Sequence, residues 1–109
     1  MNFFDRIKRV ICNIYYKRVF GEYSFNSTIM SPLRLTGMNA IYIKNNVCIH
    51  KQCWISADKL SEDIDPQIII GEGTTIGDFN HIYAIGKIEI GKNVLTANHV
   101  YISDTQHLF

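Results

Sequence analysis

The chain has 109 residues, which suits one domain and leaves little room for a second. Hydrophobic residues make up 47% and charged residues 19%, which excludes a disordered chain by composition. The net charge of +1 gives no general reason to expect a nucleic-acid partner. No stretch approaches the roughly 20 apolar residues of a membrane span, and three cysteines cannot form a closed disulfide framework, so a cytoplasmic protein is expected.

The first segment, residues 2–19, has the apolar spacing of three and four that marks one face of an α-helix. Asn2 is a candidate N-cap and Gly21 a candidate stop. Five basic residues crowd the first twenty positions against Asp5 alone. Two interpretations stay open and do not exclude each other: the helix covers the open end of the repeat structure that follows, or it docks on an anionic membrane surface. The apolar positions are Phe3, Phe4, Ile7, Val10, Ile11, Ile14 and Tyr15.

Residues 21–40 form a connector, in which Pro32 interrupts regular structure and Gly37 closes a turn. The sequence therefore divides into residues 1–40, the amphipathic helix and its connector, and residues 41–109, a repeat region.

A six-residue period governs the repeat region. A second apolar column lies two residues before the first, and Gly follows the marker residue at Gly71, Gly77 and Gly91. Each unit predicts a short strand and a turn, three units predict a triangular coil, and the marker residues should point inward and stack about 4.8 Å apart. Residues 56–67 form a loop inserted after the first coil, and two extra residues interrupt the repeat within 84–87. The markers are Ile43, Ile49, Ile55, Ile70, Ile76, Ile82, Ile90, Thr96 and Ile102.

Residues 68–107, IIIGEGTTIGDFNHIYAIGKIEIGKNVLTANHVYISDTQH, together with residues 31–55, resemble the hexapeptide-repeat acyltransferases. The likeness is greatest to the O-acetyltransferases of capsule, O-antigen and exopolysaccharide assembly. This resemblance implies an all-β fold, a left-handed parallel β-helix of about three coils with an N-terminal amphipathic α-helix. The left hand comes from the resemblance alone.

The same resemblance implies an acetyl-CoA-dependent O-acetyltransferase acting on a sugar hydroxyl, with a sugar or oligosaccharide acceptor and a homotrimeric assembly. The position matching the family's general base is His107, whose imidazole is suited to remove a proton from a hydroxyl near neutral pH. Asp104 either orients that imidazole or bonds its own turn backbone.

Asn80 either lines the acceptor site or stacks in the inner column. Tyr83, like Trp54, is an outward residue that packs either against another subunit or against a sugar ring. His81 and His99 are eighteen residues apart and would stack in an unbroken repeat, but the two extra residues displace them. Cys53 falls in the inward column, away from Cys48 and His50. No metal is therefore expected.

The family's enzymes continue through further coils that hold coenzyme A, so the residues that bind it are expected after Phe109. The chain is expected to be the N-terminal portion of a longer enzyme or a truncated product. The alternative function is a catalytically inactive β-solenoid fragment that serves as an assembly module.

Overall fold

A computed structural model describes residues 2–104. The chain begins with helix α1, Phe3–Val19, close to the predicted span. The Asn2 side chain accepts a hydrogen bond from the Asp5 N–H at 2.8 Å, which confirms the predicted N-cap. The helix ends where Phe20 turns to extended backbone, directly before Gly21.

Eleven strands of two to four residues follow within the described range, separated by tight turns and by a short 3-10 helix, Met38–Ala40. They are β1 Glu22–Tyr23, β2 Thr28–Ile29, β3 Arg34–Thr36, β4 Ile41–Ile43, β5 Cys48–Ile49, β6 Trp54–Ala57, β7 Gln67–Ile70, β8 Thr75–Ile76, β9 His81–Ala84, β10 Lys87–Ile90 and β11 Tyr101–Ser103.

These strands form three small sheets, and every strand pairing in them is parallel. The sheet orders are β1-β4-β7-β10, β2-β5-β8 and β3-β6-β9-β11. The chain visits the three sheets in the same order on each pass, so each pass adds a layer. Like residues therefore lie opposite each other: Ile43 pairs with Ile70 and Ile55 with Ile82.

This topology corrects the predicted fold class, an all-β, left-handed parallel β-helix of about three coils with an N-terminal amphipathic α-helix. The described chain combines a 17-residue α-helix with three separate parallel sheets of four, four and three strands. Its first layer is built by β1, β2 and β3, which precede the predicted start at Ile41. The physical reason is that a six-residue period determines which side chains face inward. It does not determine how the strands divide among sheets or the hand of their connections.

The inward direction of the repeat is confirmed. The markers of the second and third layers, Ile43, Ile49, Ile55, Ile70, Ile76 and Ile82, are at most 1% exposed. The second column is buried with them, including Ile41, Val47 and Ile68. Branched side chains suit such a stack, because they pack well against like neighbours on a pleated surface.

The glycines after the markers, Gly71, Gly77 and Gly91, do not have the positive φ of the left-handed backbone conformation. Positive φ occurs instead at Asn46, Gln52, Phe79 and other residues just before the second column. At Gly77 the constraint is close approach, since an added Cβ would lie 2.6 Å from the Ala97 carbonyl oxygen. The neighbouring layer therefore excludes a larger side chain at this position.

Polar residues in the second column join successive layers. Thr74 donates its hydroxyl to the Gly91 carbonyl at 2.7 Å, and Ser27 donates to the Lys44 carbonyl at 2.6 Å. Cys53 donates its thiol to the Gly77 carbonyl at 3.1 Å. Each acceptor is the carbonyl just after a marker in the next layer, so the buried polar side chains satisfy corner backbone groups.

Helix α1 covers the first layer. Tyr16 and Phe20 pack with Tyr23 of β1, with ring centroids 5.4–5.6 Å apart. The Tyr23 hydroxyl donates to Asn13 Oδ1 at 2.9 Å, which anchors the helix to the sheets. Among residues 2–104, no helix has both the length and the apolar character needed to cross a bilayer.

Candidate functional site on the outer face of the third sheet

The proposed base, His107, lies outside the described residues. Asp104 follows β11 directly, and its carboxylate accepts two backbone hydrogen bonds, from Ile85 N–H at 2.9 Å and Gly86 N–H at 2.8 Å. Asp104 thus holds the two-residue insertion of the preceding layer. A carboxylate has about four acceptor positions, and these two hydrogen bonds occupy two of them. Its role in orienting His107 stays a prediction.

Tyr83 projects from β9 close to two carboxylates. It pairs in register with Ser56 on one side and Ser103 on the other, and its hydroxyl forms a hydrogen bond with Asp58. Partial burial raises the pKa of Tyr83, and the negative charges of Asp58 and Asp104 raise it further. The phenol therefore keeps its proton at neutral pH and donates it to the Asp58 carboxylate.

Asp58 is a site residue that the sequence did not identify. It is the first residue after β6, its backbone N–H bonds the Ala84 carbonyl at 3.0 Å, and its Oδ1 accepts from the Thr36 hydroxyl at 3.3 Å. A signal was present, because Asp58 opens the inserted loop, and loops that leave a repeat structure often form binding surfaces.

Asn80 lies inside the protein and is 1% exposed. Its amide donates to the carbonyls of Asp78 at 3.1 Å and Ala97 at 2.8 Å, and its oxygen accepts from the Thr96 hydroxyl at 2.7 Å. The structure thus places Asn80 in the inner column, one of the two alternatives that its position left open. It does not lie on the outer face with Tyr83.

An aromatic column crosses the same face. Arg34, Trp54, His81 and Tyr101 lie opposite one another in register on four neighbouring strands. Trp54 and His81 stack with centroids 4.3 Å apart, Tyr101 meets His81 edge-on at 4.8 Å, and Arg34 lies 5.3 Å from the Trp54 ring centroid. We call these four side chains the aromatic ladder.

His81 behaves as a neutral ring within this ladder. Burial lowers its pKa, because a charged imidazole would lose hydration there. Its Nε2 is enclosed and has no hydrogen-bond partner among residues 2–104. The predicted displacement of His81 from His99 is confirmed, since His81 pairs with Tyr101 whereas His99 stacks on Phe79 at 4.9 Å.

The face therefore combines an aromatic column, 57% exposed at its last ring, Tyr101, with a phenol and two carboxylates beside it. Aromatic rings present large apolar surface, and the carboxylates and phenol supply fixed polar groups. Such a combination can hold a ligand that has both an apolar ring face and several hydroxyls.

No family model matches the sequence, and neither a curated protein nor a solved structure matches it. A function for this chain therefore rests on its own residues and on the chemistry that they allow.

Proposed function

We propose that this chain is, or is part of, an acetyl-CoA-dependent O-acetyltransferase that modifies a sugar hydroxyl in capsule, O-antigen or exopolysaccharide biosynthesis. The observation that carries the proposal is the grouping of Tyr83, Asp58 and Asp104 beside the aromatic ladder. Asp104 is three residues before His107 in the chain. These groups fit a hydroxylated ring, and His107 supplies the base that a hydroxyl nucleophile needs.

In the proposed reaction, the imidazole of His107 removes the proton of one acceptor hydroxyl as its oxygen attacks the thioester carbonyl of acetyl-CoA. The tetrahedral adduct collapses, the carbon–sulfur bond breaks, and the departing thiolate takes the proton back from the imidazolium. The acetyl ester and free coenzyme A are the products, and no covalent enzyme intermediate is needed. Asp104 stabilises the imidazolium through the other ring N–H.

The acceptor ring is proposed to pack against Tyr101 at the end of the aromatic ladder. The Tyr83 hydroxyl oxygen and the Asp58 carboxylate each accept a hydrogen bond from a ring hydroxyl. The residues that hold coenzyme A are proposed to follow Phe109 or to come from other subunits of a homotrimer. We place the protein in the cytoplasm, consistent with cysteines that are all unpaired.

The test is acetyl-CoA-dependent thiol release, measured with a panel of sugar acceptors on the protein that contains this chain. His107→Ala should abolish release, whereas His99→Ala, at an exposed imidazole elsewhere, should leave it unchanged. Tyr83→Phe should raise the acceptor KM with a smaller effect on kcat, because it removes one hydroxyl contact. Wild-type rates in His107→Ala would contradict the proposal.

A second candidate, a non-catalytic assembly module, is favoured by the last layer. The outer edges of β10 and β11 have no strand partner among the described residues. Leu95 beside them is 78% exposed. Unpaired strand edges invite pairing with another chain. Thiol release that is absent with every acceptor, together with concentration-dependent association lost in Leu95→Lys, would favour this candidate.

A further inference from the structure

The apolar face of helix α1 is turned away from the protein. Seven apolar and aromatic side chains of the helix are 41–79% exposed, whereas an amphipathic helix of a globular protein ordinarily buries that face. At about 100° per residue they fall within an arc of roughly 140°. The seven are Phe3, Phe4, Ile7, Val10, Ile11, Ile14 and Tyr15.

The opposite side of the helix makes the contacts with the sheets, and it combines polar side chains with the apolar Cys12 and Val19, which pack against the core. Arg9 donates to the Thr28 hydroxyl at 2.8 Å, Asn13 donates to the Phe25 carbonyl at 3.2 Å, and Tyr16 is buried. These contacts determine how the helix is rotated about its axis. The exposed stripe is therefore not a face that could simply roll inward, because doing so would break the hydrogen bonds.

Cations border the stripe on both sides. In helical projection Arg6 and Lys17 flank one edge and Lys8 flanks the other, whereas Arg18 falls within the arc of the stripe, in the last turn of the helix. The helix carries five basic residues and one acidic residue, a net charge of +4. The remaining residues carry six basic and nine acidic side chains, a net charge of −3, so the positive charge is concentrated on this one element.

We propose that α1 docks in the plane of an anionic lipid surface. The exposed stripe enters the boundary between headgroups and acyl chains, and the flanking cations contact lipid phosphates. A helix of 17 residues is about 25 Å long, which suits an orientation parallel to the surface. Charge favours this occupant over a second copy, because pairing two such faces would bring two helices of +4 together.

The test is co-sedimentation of the full chain with vesicles of phosphatidylcholine, with and without anionic phosphatidylglycerol. Binding should require the anionic lipid and weaken at high salt. Phe4→Ser with Ile11→Ser should lower the partition coefficient about tenfold or more, because both side chains are exposed in the free protein and buried in the bound state. The matched control, Leu60→Ser with Leu95→Ser, alters equally exposed apolar residues elsewhere and should bind as the wild type.

The charge contribution is tested separately. Arg6→Glu with Lys8→Glu should weaken binding about thirtyfold or more, at roughly fivefold for each cation lost. Lys51→Glu with Lys92→Glu changes the net charge by the same amount at exposed positions in turns between strands, and it should bind nearly as well as the wild type. Equal losses in both pairs would overturn the proposal, since whole-chain charge would then suffice.

Two further results would overturn the proposal. One is the absence of binding to anionic vesicles at low salt. The other is a dimer in sedimentation velocity without lipid that Phe4→Ser with Ile11→Ser dissolves, which would assign the stripe to a second copy. Circular dichroism of each variant, with the helical signal of the wild type, shows that lost binding does not come from lost helix.

Discussion

Replacing Asn80 by Ala is expected to lower the free energy of unfolding by about 3 kcal/mol. The side chain makes three hydrogen bonds inside the protein, to the Asp78 and Ala97 carbonyls and to the Thr96 hydroxyl. Each such bond contributes about 1 kcal/mol net. When it is removed, the buried groups that it satisfied are left without a hydrogen-bond partner. Alanine replaces none of them.

Urea unfolding followed by circular dichroism measures this effect. With an m value of about 1.5 kcal/mol/M for a chain of this size, the midpoint should fall by roughly 2 M while m stays constant. The matched control is Asn98→Ala. Asn98 is exposed and accepts one hydrogen bond, from the Asp78 N–H at 2.8 Å, so its loss should cost less than about 1 kcal/mol.

The same variant separates the two roles considered for Asn80. A residue that lines the acceptor site would change the acceptor KM and leave the urea midpoint near the wild-type value. A residue that joins two layers changes the midpoint first. If Asn80→Ala and Asn98→Ala unfold at the same urea concentration, the argument from the internal hydrogen bonds is refuted.

Two further predictions concern a close contact and a buried imidazole. Gly77→Ala should destabilise the fold by about 1–3 kcal/mol, because its Cβ would lie 2.6 Å from the Ala97 carbonyl oxygen. Gly91→Ala is the control and should be neutral or slightly stabilising, because no heavy atom lies within 4 Å of the added Cβ. Equal thermal midpoints for the two variants would contradict this. Burial lowers the pKa of His81 below 6.5, so the unfolded chain takes up a proton that the folded chain resists, and stability should fall as the pH drops through 6.5 towards the folded pKa. His81→Phe keeps an aromatic ring against Trp54, Tyr83 and Tyr101 and removes the titrating nitrogen, so it should flatten this part of the stability–pH curve. If the urea midpoint of the variant changes with pH as steeply as that of the wild type, the assignment is wrong.

The sequence was sufficient to predict the inward residues. A strict six-residue period is hard to satisfy by accident, and burial of one side chain per unit is its direct physical cause. Ile49, Ile55 and Ile76 are accordingly enclosed as expected. The helix was predictable for the same reason, since its apolar spacing and its Asn2 cap are local properties of the chain.

The division of the strands among three sheets was not predictable, because it depends on pairings between residues far apart in the sequence. The fold class was wrong for this reason. Residues 22–36 were predicted to be a connector, yet Tyr23, Ile29 and Leu35 are six residues apart and pair with Ile43, Ile49 and Ile55 to form the first layer. The contacts of Asp104 depend similarly on the register of another layer, which the insertion at Ile85 and Gly86 displaces.

The orientation of α1 shows a limit of pattern reasoning of another kind. An apolar stripe predicts that something buries it, and the nearest sheet is the usual candidate. Here Asn13 and Tyr16 contact that sheet instead, through a hydrogen bond and a ring contact with Tyr23. A hydrophobic pattern does not predict such contacts.

The two proposed surfaces lie in different layers, which makes them separable by experiment. Helix α1 covers the first layer, and Tyr83 with Asp104 belongs to the third and fourth, two or three strand spacings of about 4.8 Å further along. Because they share no residue, Phe4→Ser with Ile11→Ser should leave turnover of a soluble sugar acceptor unchanged. If the acceptor is held at a membrane, the same variant should lose activity in proportion to its lost vesicle binding. A variant that lost activity towards both acceptors would show that the helix supports the site directly, and the two surfaces could not then be treated as independent.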